Sequence, residues 1–305
     1  MTDFQIKGVF AAVATPLCSN NTVDTGRLIA QCRRLLDHGC HGLALLGSTG
    51  EATSFSQSER KDILETVLAA GIEPATILLG TGLPAIGDTI DLTRHALDRN
   101  VTNFLVLPPF YYKNLSDEGL VGSYRRLIEM VADPRMRLLL YHIPQFSGIP
   151  ITHGAIAQLR KPYPDIVVGL KDSSGTLNSG LDFITNHPGF AVLAGADPLM
   201  LPLLRAGGAG AITGLANIAS ANLRLIFDHW DENAFAERVQ AAQKYLEGLR
   251  AISTAYPPMA AIKAITAAIL DDRVWRQMRP PLSALTDADY QMIDAQLEAL
   301  PLSPA

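Results

Sequence analysis

The stretch "DIVVGLKDSSG", residues 165–175, is a run of apolar residues long enough for a buried strand, and it ends on a lysine. Burying an ammonium ion is costly unless it is paired or sheds its proton, so the end of this run needs a special setting. Continuous apolar character, in place of alternation, suits a strand covered on both faces, as in a parallel sheet with helices outside. Seven further runs flank it: "GVFAAVATPL" from Gly8, "GLALLG" from Gly42, "TILLGTG" from Thr76, "VTNFLVLPP" from Val101, "RLLLYHIP" from Arg137, "FAVLAGAD" from Phe190 and "GAGAITGLAN" from Gly208. Helical patterns separate them. Leu28, Cys32, Leu35 and Leu36 recur at helical spacing, and Ser56 with Glu59 makes a capping box before "RKDILETVLAA". Strand and helix alternate about every 25 to 35 residues, the size of one strand-crossover-strand unit. Eight such units in about 230 residues predict a closed (β/α)8 TIM barrel, because an open doubly wound sheet more often has about five to seven strands.

After about residue 231 the strand signals stop, and three helices are expected from "ENAFAERVQAAQKYLEGLRAI", "PPMAAIKAITAAIL" and "DADYQMIDAQLEAL". The expected organisation is therefore a catalytic barrel over residues 1–230 and a helical appendage over residues 231–305. In the last helix Ile293, Leu297 and Leu300 share a face that must dock on the barrel or on a neighbouring subunit.

At 305 residues with 48% hydrophobic and 18% charged residues, the chain can bury a large core. A formal net charge of -5 and the lack of a dense Lys/Arg run argue against a nucleic-acid partner. The start "MTDFQIKGVF" has no long apolar leader segment, and no run approaches the roughly 18 apolar residues of a spanning helix, so a cytoplasmic location with no membrane partner is expected. Cys18, Cys32 and Cys40 make no CxxC, which fits reduced thiols.

In such a barrel, side chains at the carboxyl ends of the strands gather at one mouth, where active sites are built. Strict alternation along the sixth strand sends Ile166, Val168 and Leu170 toward the helices and Val167, Gly169 and Lys171 toward the axis, with Gly169 leaving room below the lysine. A partly desolvated amine gives up its proton more easily, and a neutral amine attacks a carbonyl to form a Schiff base. The plainer alternative is a strand-end lysine that snorkels to solvent or pairs with Asp172. Lys7, Lys61, Lys113, Lys161, Lys244 and Lys263 fall at a strand entrance, on helices or in connections and offer no competitor. On the preceding strand the same parity sends Leu139 and Tyr141 inward, which sets a phenol beside the amine as a proton shuttle. After the second strand, "GSTGE" at residues 47–51 offers two hydroxyls and backbone N–H groups to an anion such as a carboxylate.

Taken in order, "TPL" at Thr15, "GSTGE" at Gly47, "PPFYYK" at Pro108, "YHIPQFSG" at Tyr141, "VGLKDSSG" at Val168 and "GAGAIT" at Gly208 resemble the family of dihydrodipicolinate synthase and N-acetylneuraminate lyase, the pyruvate-dependent class I aldolases. The resemblance covers nearly the whole chain. It implies that Lys171 forms an imine with the keto carbon of pyruvate or another 2-oxo acid and that Tyr141 relays protons. Ser48 and Thr49 would grip the carboxylate. Tyr111, or Tyr112 one residue on, would reach in from a neighbouring subunit, which implies a homo-oligomer, dimer or tetramer. Ile212 matches the position whose carbonyl lies near the imine, and Gly195 lines the same mouth. The covalent imine needs neither a metal nor another cofactor.

Phe146 stands where the synthases carry an arginine that grips the carboxylate of aspartate semialdehyde, and a ring cannot make that bidentate pair. The serine of "GSTGE" and the "KDSSG" after the lysine look more like the sugar-acid lyases and 2-keto-3-deoxy acid aldolases. The expected reaction is thus cleavage or condensation of a 2-oxo acid, pyruvate plus an aldehyde, on a 2-keto-3-deoxy sugar acid or a related substrate. The alternatives are dihydrodipicolinate synthase, a dehydratase of deoxy-keto sugar acids, and a noncatalytic 2-oxo acid sensor. His142 stands where an asparagine is frequent.

Two other motifs compete. "GTGLPA", residues 80–85, fits a dinucleotide fingerprint, but it follows the third strand where that fingerprint marks the first. "HGCH", residues 38–41, falls between the first helix and second strand, at the mouth opposite the lysine.

Overall fold

The structure, a computed structural model, describes residues 6–305. Residues 1–5, half of the start read for a leader, lie outside the described residues. Among the described residues there are eight strands: β1 Gly8–Ala12, β2 Gly42–Leu45, β3 Ile77–Gly80, β4 Asn103–Val106, β5 Arg137–His142, β6 Val167–Asp172, β7 Ala191–Ala194 and β8 Gly210–Thr213. They close into a parallel barrel in chain order. All eight apolar runs became strands, and every strand residue of β2, β3, β4 and β8 is buried. Covering on both faces explains why those runs lack alternation.

The helices are α1 Thr25–Asp37, α2 Gln57–Ala69, α3 Ile86–Leu97, α4 Asp117–Val131, α5 Pro144–Ser147, α6 His153–Arg160, α7 Leu177–Asn186, α8 Met200–Arg205, α9 Ala216–His229, α10 Ala236–Thr254, α11 Pro258–Ile269 and α12 Asp287–Glu298. Among them none is long and apolar enough to cross a membrane. α1 buries Leu28, Cys32 and Leu35, three of the four residues read as its apolar stripe. α2 starts at the expected capping box, with Ser56 Oγ accepting from the Glu59 N–H and Glu59 reaching back to the Ser56 N–H.

By contacts the chain divides into two compact units, residues 6–8 with Glu73–Ile212, and Val9–Ile72 with Thr213–Ala305. The first holds β3 to β7 with their helices and most of β8. In the second, α10 and α11 pack on α9, and α12 packs on α10 and α11. The apolar face of the last helix thus has its partner within the chain. Ile293 is buried, and Leu300 lies so close to Gly248 that a Cβ there would come within 2.6 Å of its side chain.

One sequence expectation about β6 is corrected. Leu138 pairs with Val167, but Leu139 pairs with Gly169, so Val168 is an extra residue that slips the register. Partners in a parallel ladder share a face. Gly169 and Lys171 therefore keep the parity of Leu139 and Tyr141, while Val167 takes that of Leu138, opposite to the inward placement expected from strict alternation.

Candidate active site

Tyr141 and Lys171 are direct partners across the β5–β6 ladder, one residue from the carboxyl end of each strand. Both are buried, at 3% and 4% exposure. The Lys171 amine donates to the Tyr141 hydroxyl at 3.2 Å and lies 4.5 Å from the ring centroid. The snorkelling alternative fails on burial. Pairing with Asp172 fails too, because neighbouring strand residues face opposite sides and the Asp172 carboxylate accepts the Ser174 N–H at 2.9 Å.

The space expected beneath the lysine is occupied. A Cβ on Gly169 would come within 2.5 Å of the Ala191 carbonyl oxygen and 3.0 Å of its Cβ, so this glycine lets β7 approach rather than leaving a void. Gly195 does the same beyond the strand ends: its N–H donates to the Asp172 carbonyl at 2.7 Å, and a Cβ would fall 2.0 Å from Ser173 Oγ. Ile212 is fully buried on β8.

The other predicted residues of this unit lie on exposed connections. Phe146 sits on α5 just beyond β5 and is 53% exposed. The adjacent Gln145 amide donates to the Ser173 carbonyl at 2.6 Å, which ties the loop after β5 to the loop after β6. Tyr111 and Tyr112, in the loop after β4, are 73% and 72% exposed and meet edge to face at 5.3 Å. Neither phenol is brought to Tyr141 within this chain. Lys113, which sequence reasoning set aside, donates to the Ser147 carbonyl at 2.7 Å and to that of Phe110, joining the β4 loop to the end of α5.

His142, unexplained by sequence, is buried with its Nδ1 accepting the Ile151 N–H at 3.0 Å and its ring edge-on to Phe183. Burial depresses its pKa, opposed by Asp172 and reinforced by His153. It is a packed histidine at the end of the strand that carries Tyr141, on the opposite face from the phenol.

In the second unit the "GSTGE" turn follows β2 directly. Its chain folds on itself through Glu51 N–H to the Ser48 carbonyl at 3.0 Å and Ala52 N–H to the Gly47 carbonyl at 3.3 Å. The hydroxyl of Thr15, from the "TPL" motif, donates to the Gly50 carbonyl at 2.8 Å, so two of the quoted motifs brace each other. Ser48 and Thr49 are half-buried. Glu51 is left-handed at φ +56, a conformation that costs a non-glycine residue of order 1 kcal/mol. Its carboxylate is buried in an ion pair with Lys263 of α11, one of the six lysines that sequence reasoning set aside, which the structure buries at 1% exposure. Burial lowers the Lys263 pKa while Glu51 acts to raise it. The signal was present: "PPMAAIKAITAAIL" is apolar all round, and a lone lysine in such a helix has little solvent to reach.

The rival motifs take structural roles. His41 Nδ1 accepts the Val9 N–H at 3.0 Å, and its ring packs edge-on to Phe227. Cys40 is buried, with its thiol pushed up to about 12 by burial. "GTGLPA" follows β3, third in the barrel, as expected.

A buried amine and a phenol thus stand paired at the carboxyl ends of adjacent strands of a parallel eight-stranded barrel, the end at which active sites of this fold are built. The chain belongs to the dihydrodipicolinate synthetase family, whose sequence profile matches residues 5–300. A DapA-like lyase of Chloroflexus aurantiacus, itself uncharacterized, is 35% identical over 298 residues, covering 96% of this chain and 97% of the relative. The crystal structure of dihydrodipicolinate synthase from Agrobacterium tumefaciens superposes with a TM-score of 0.89 at 31% identity, covering 96% of this chain and 99% of that one. The 2-keto-3-deoxygluconate aldolase of Sulfolobus solfataricus shares the fold, with a TM-score of 0.85 at 21% identity and 95% of each chain covered.

Proposed function

We propose that this lyase works through an imine between Lys171 and a 2-oxo acid, and that it cleaves or makes a 2-keto-3-deoxy sugar acid or a related substrate. One observation carries the reading: the Lys171 amine and the Tyr141 hydroxyl, both buried, lie 3.2 Å apart on paired strand ends. The neutral amine attacks the C2 carbonyl and the N–C2 bond forms. The carbonyl oxygen takes one proton from the attacking nitrogen and a second from solvent, both relayed through Tyr141, and departs as water, leaving a protonated imine. In the cleavage direction the C4 hydroxyl loses its proton, C4 becomes an aldehyde carbon, and the electrons of the C3–C4 bond pass to the enamine drawn by the cationic nitrogen. Protonation at C3 and addition of water release pyruvate and the free amine.

Ser48 and Thr49 hold the carboxylate, Gly195 and Ile212 line the mouth, and Tyr111 extends the relay from a second copy, so the working particle is a homo-oligomer, dimer or tetramer. No metal or other cofactor takes part in these steps. We place the protein in the cytoplasm and assign the chemistry to residues 1–230, with residues 231–305 as the helical appendage.

The experiment is borohydride trapping with pyruvate, followed by peptide mapping. A stable adduct on Lys171 that is lost in Lys171→Ala is expected; label on Lys263 or any other lysine overturns the assignment. The similar dihydrodipicolinate synthase from Agrobacterium tumefaciens supports a second reading in which the aldehyde is aspartate semialdehyde. Phe146, with no charge to meet that carboxylate, weighs against it. Little condensation of pyruvate with aspartate semialdehyde is expected, and robust turnover of that pair would reverse the order of the two readings.

A further inference from the structure

We propose that Glu51 and Lys263 are positioning residues for substrate carboxylate binding: their buried ion pair fixes the turn at residues 47–51 so that Ser48 and Thr49 meet the anion. This rests on the proposed role of those two hydroxyls. The turn leaves β2 at Leu46, φ +56, and ends at Glu51, also φ +56, so two residues without a glycine's freedom hold left-handed backbone within six positions. Such a conformation persists only where its surroundings over-determine it. At Glu51 the surroundings come from α11 and the segment that follows it. Lys263 pairs with one carboxylate oxygen and donates to the Gln277 carbonyl at 2.8 Å, while the Arg279 N–H donates to the other oxygen at 3.2 Å.

The Arg279 side chain continues the clamp. It donates to the Ser54 carbonyl at 3.0 Å and to Glu59 at 2.8 Å, bonds the Asn21 carbonyl, and lies 4.4 Å over the Phe55 ring. Beside the Thr15 hydroxyl on the Gly50 carbonyl, the anchors of Glu51 and of the segment after it are thus charged and come from segments more than 200 residues away in the chain. A buried ion pair is a weak source of net stability, and at Glu51 its role is to hold the carboxylate, through partners on both oxygens, in one arrangement. That is what a turn presenting hydroxyls to a planar carboxylate requires.

The test compares borohydride trapping by pyruvate with trapping by methyl pyruvate, which keeps the activated ketone and lacks the carboxylate anion. Two variants are made: Glu51→Gln/Lys263→Met, which removes both charges together, and Glu51→Asp, which keeps the charge but retracts it by one methylene. Both should raise the pyruvate concentration for half-maximal trapping by about tenfold or more and leave methyl pyruvate trapping within about twofold of the unmodified protein. Equal losses with both ketones would assign the pair a merely structural role and overturn the proposal, as would unchanged trapping with both. If the double variant does not fold, Glu51→Asp decides alone. Failure of the unmodified protein to trap either ketone would instead refute the imine, and with it the function on which this inference stands.

Discussion

Two lysines are buried in this chain, and their partners separate their roles. Lys263 faces a carboxylate, which holds the proton that burial would remove, whereas Lys171 faces a phenol, a group able to give and take a proton at the same nitrogen. An amine locked in an ion pair is a poor nucleophile; one hydrogen-bonded to an acid–base partner is a good one. His142, one residue beyond Tyr141, shows the stability side of burial. Its folded pKa lies below the ordinary value of about 6.5, with burial the main cause. In that case the unfolded chain binds more protons, so the contribution is complete above about pH 6.5 and is lost as the pH falls toward the depressed value. His187 and His41, lowered by burial in the same way, act with the same sign. His142→Asn keeps an acceptor for the Ile151 N–H and removes one titrating ring. Urea midpoints measured at about pH 7.5 and about pH 5.5 should therefore differ less in the variant than in the unmodified protein. An equal or larger difference would show that His142 is not the group being protonated. Lys171 and Tyr141 were legible because a period of two fixes which strand residues share a face; His142 was not, since its partners Ile151 and Phe183 lie on elements that sequence spacing does not bring together.

The strands themselves were legible because double-sided burial leaves runs without polar interruption, and each run in the sequence became one strand of the barrel. The slip at Val168 was not, since a bulge inside "VVGL" changes no residue type and alters only which carbonyl each N–H meets. It matters because it lies three residues before Lys171 and resets the phase of everything below the amine. Gly169, next along, was read as a space-maker and proved to be a point where β7 approaches β6 closely. Gly169→Ala puts a methyl group 2.5 Å from the Ala191 carbonyl oxygen, a backbone atom that cannot rotate away. The ladder must open locally, at a cost of about 1–3 kcal/mol by the usual penalty for overpacking. Because Lys171 lies two residues on, the rate of pyruvate trapping should fall along with the urea midpoint. A variant with unchanged stability would mean that the two strands can separate freely, and the precision assigned to the lysine's placement would have to come from elsewhere.

At the scale of the molecule, one chain leaves its proposed relay unfinished. Tyr111 and Tyr112 hold two phenols in water on the loop after β4, edge to face with each other and followed by Lys113, which anchors the loop. Large aromatic side chains so exposed commonly mark a surface that another molecule covers. The sequence could flag the motif but not its partner, because a contact between copies leaves no periodicity within one chain. If a second copy covers this loop through a two-fold contact, each site borrows its neighbour's tyrosine. The consequence can be counted. Tyr111→Phe retains Lys171 but lends no hydroxyl, and Lys171→Ala lends the hydroxyl but has no nucleophile, so each uniform assembly should lose activity by about 100-fold or more. Mixed at random in equal amounts, half of the dimers pair one of each, and in each mixed dimer one of two sites is complete, which restores about a quarter of the sites. Turnover in the mixture near that fraction would place Tyr111 in trans. Activity no higher than the mean of the separate variants, or full activity from a monomer by light scattering, would remove Tyr111 from the relay and leave the Lys171–Tyr141 pair to conduct the proton transfers alone.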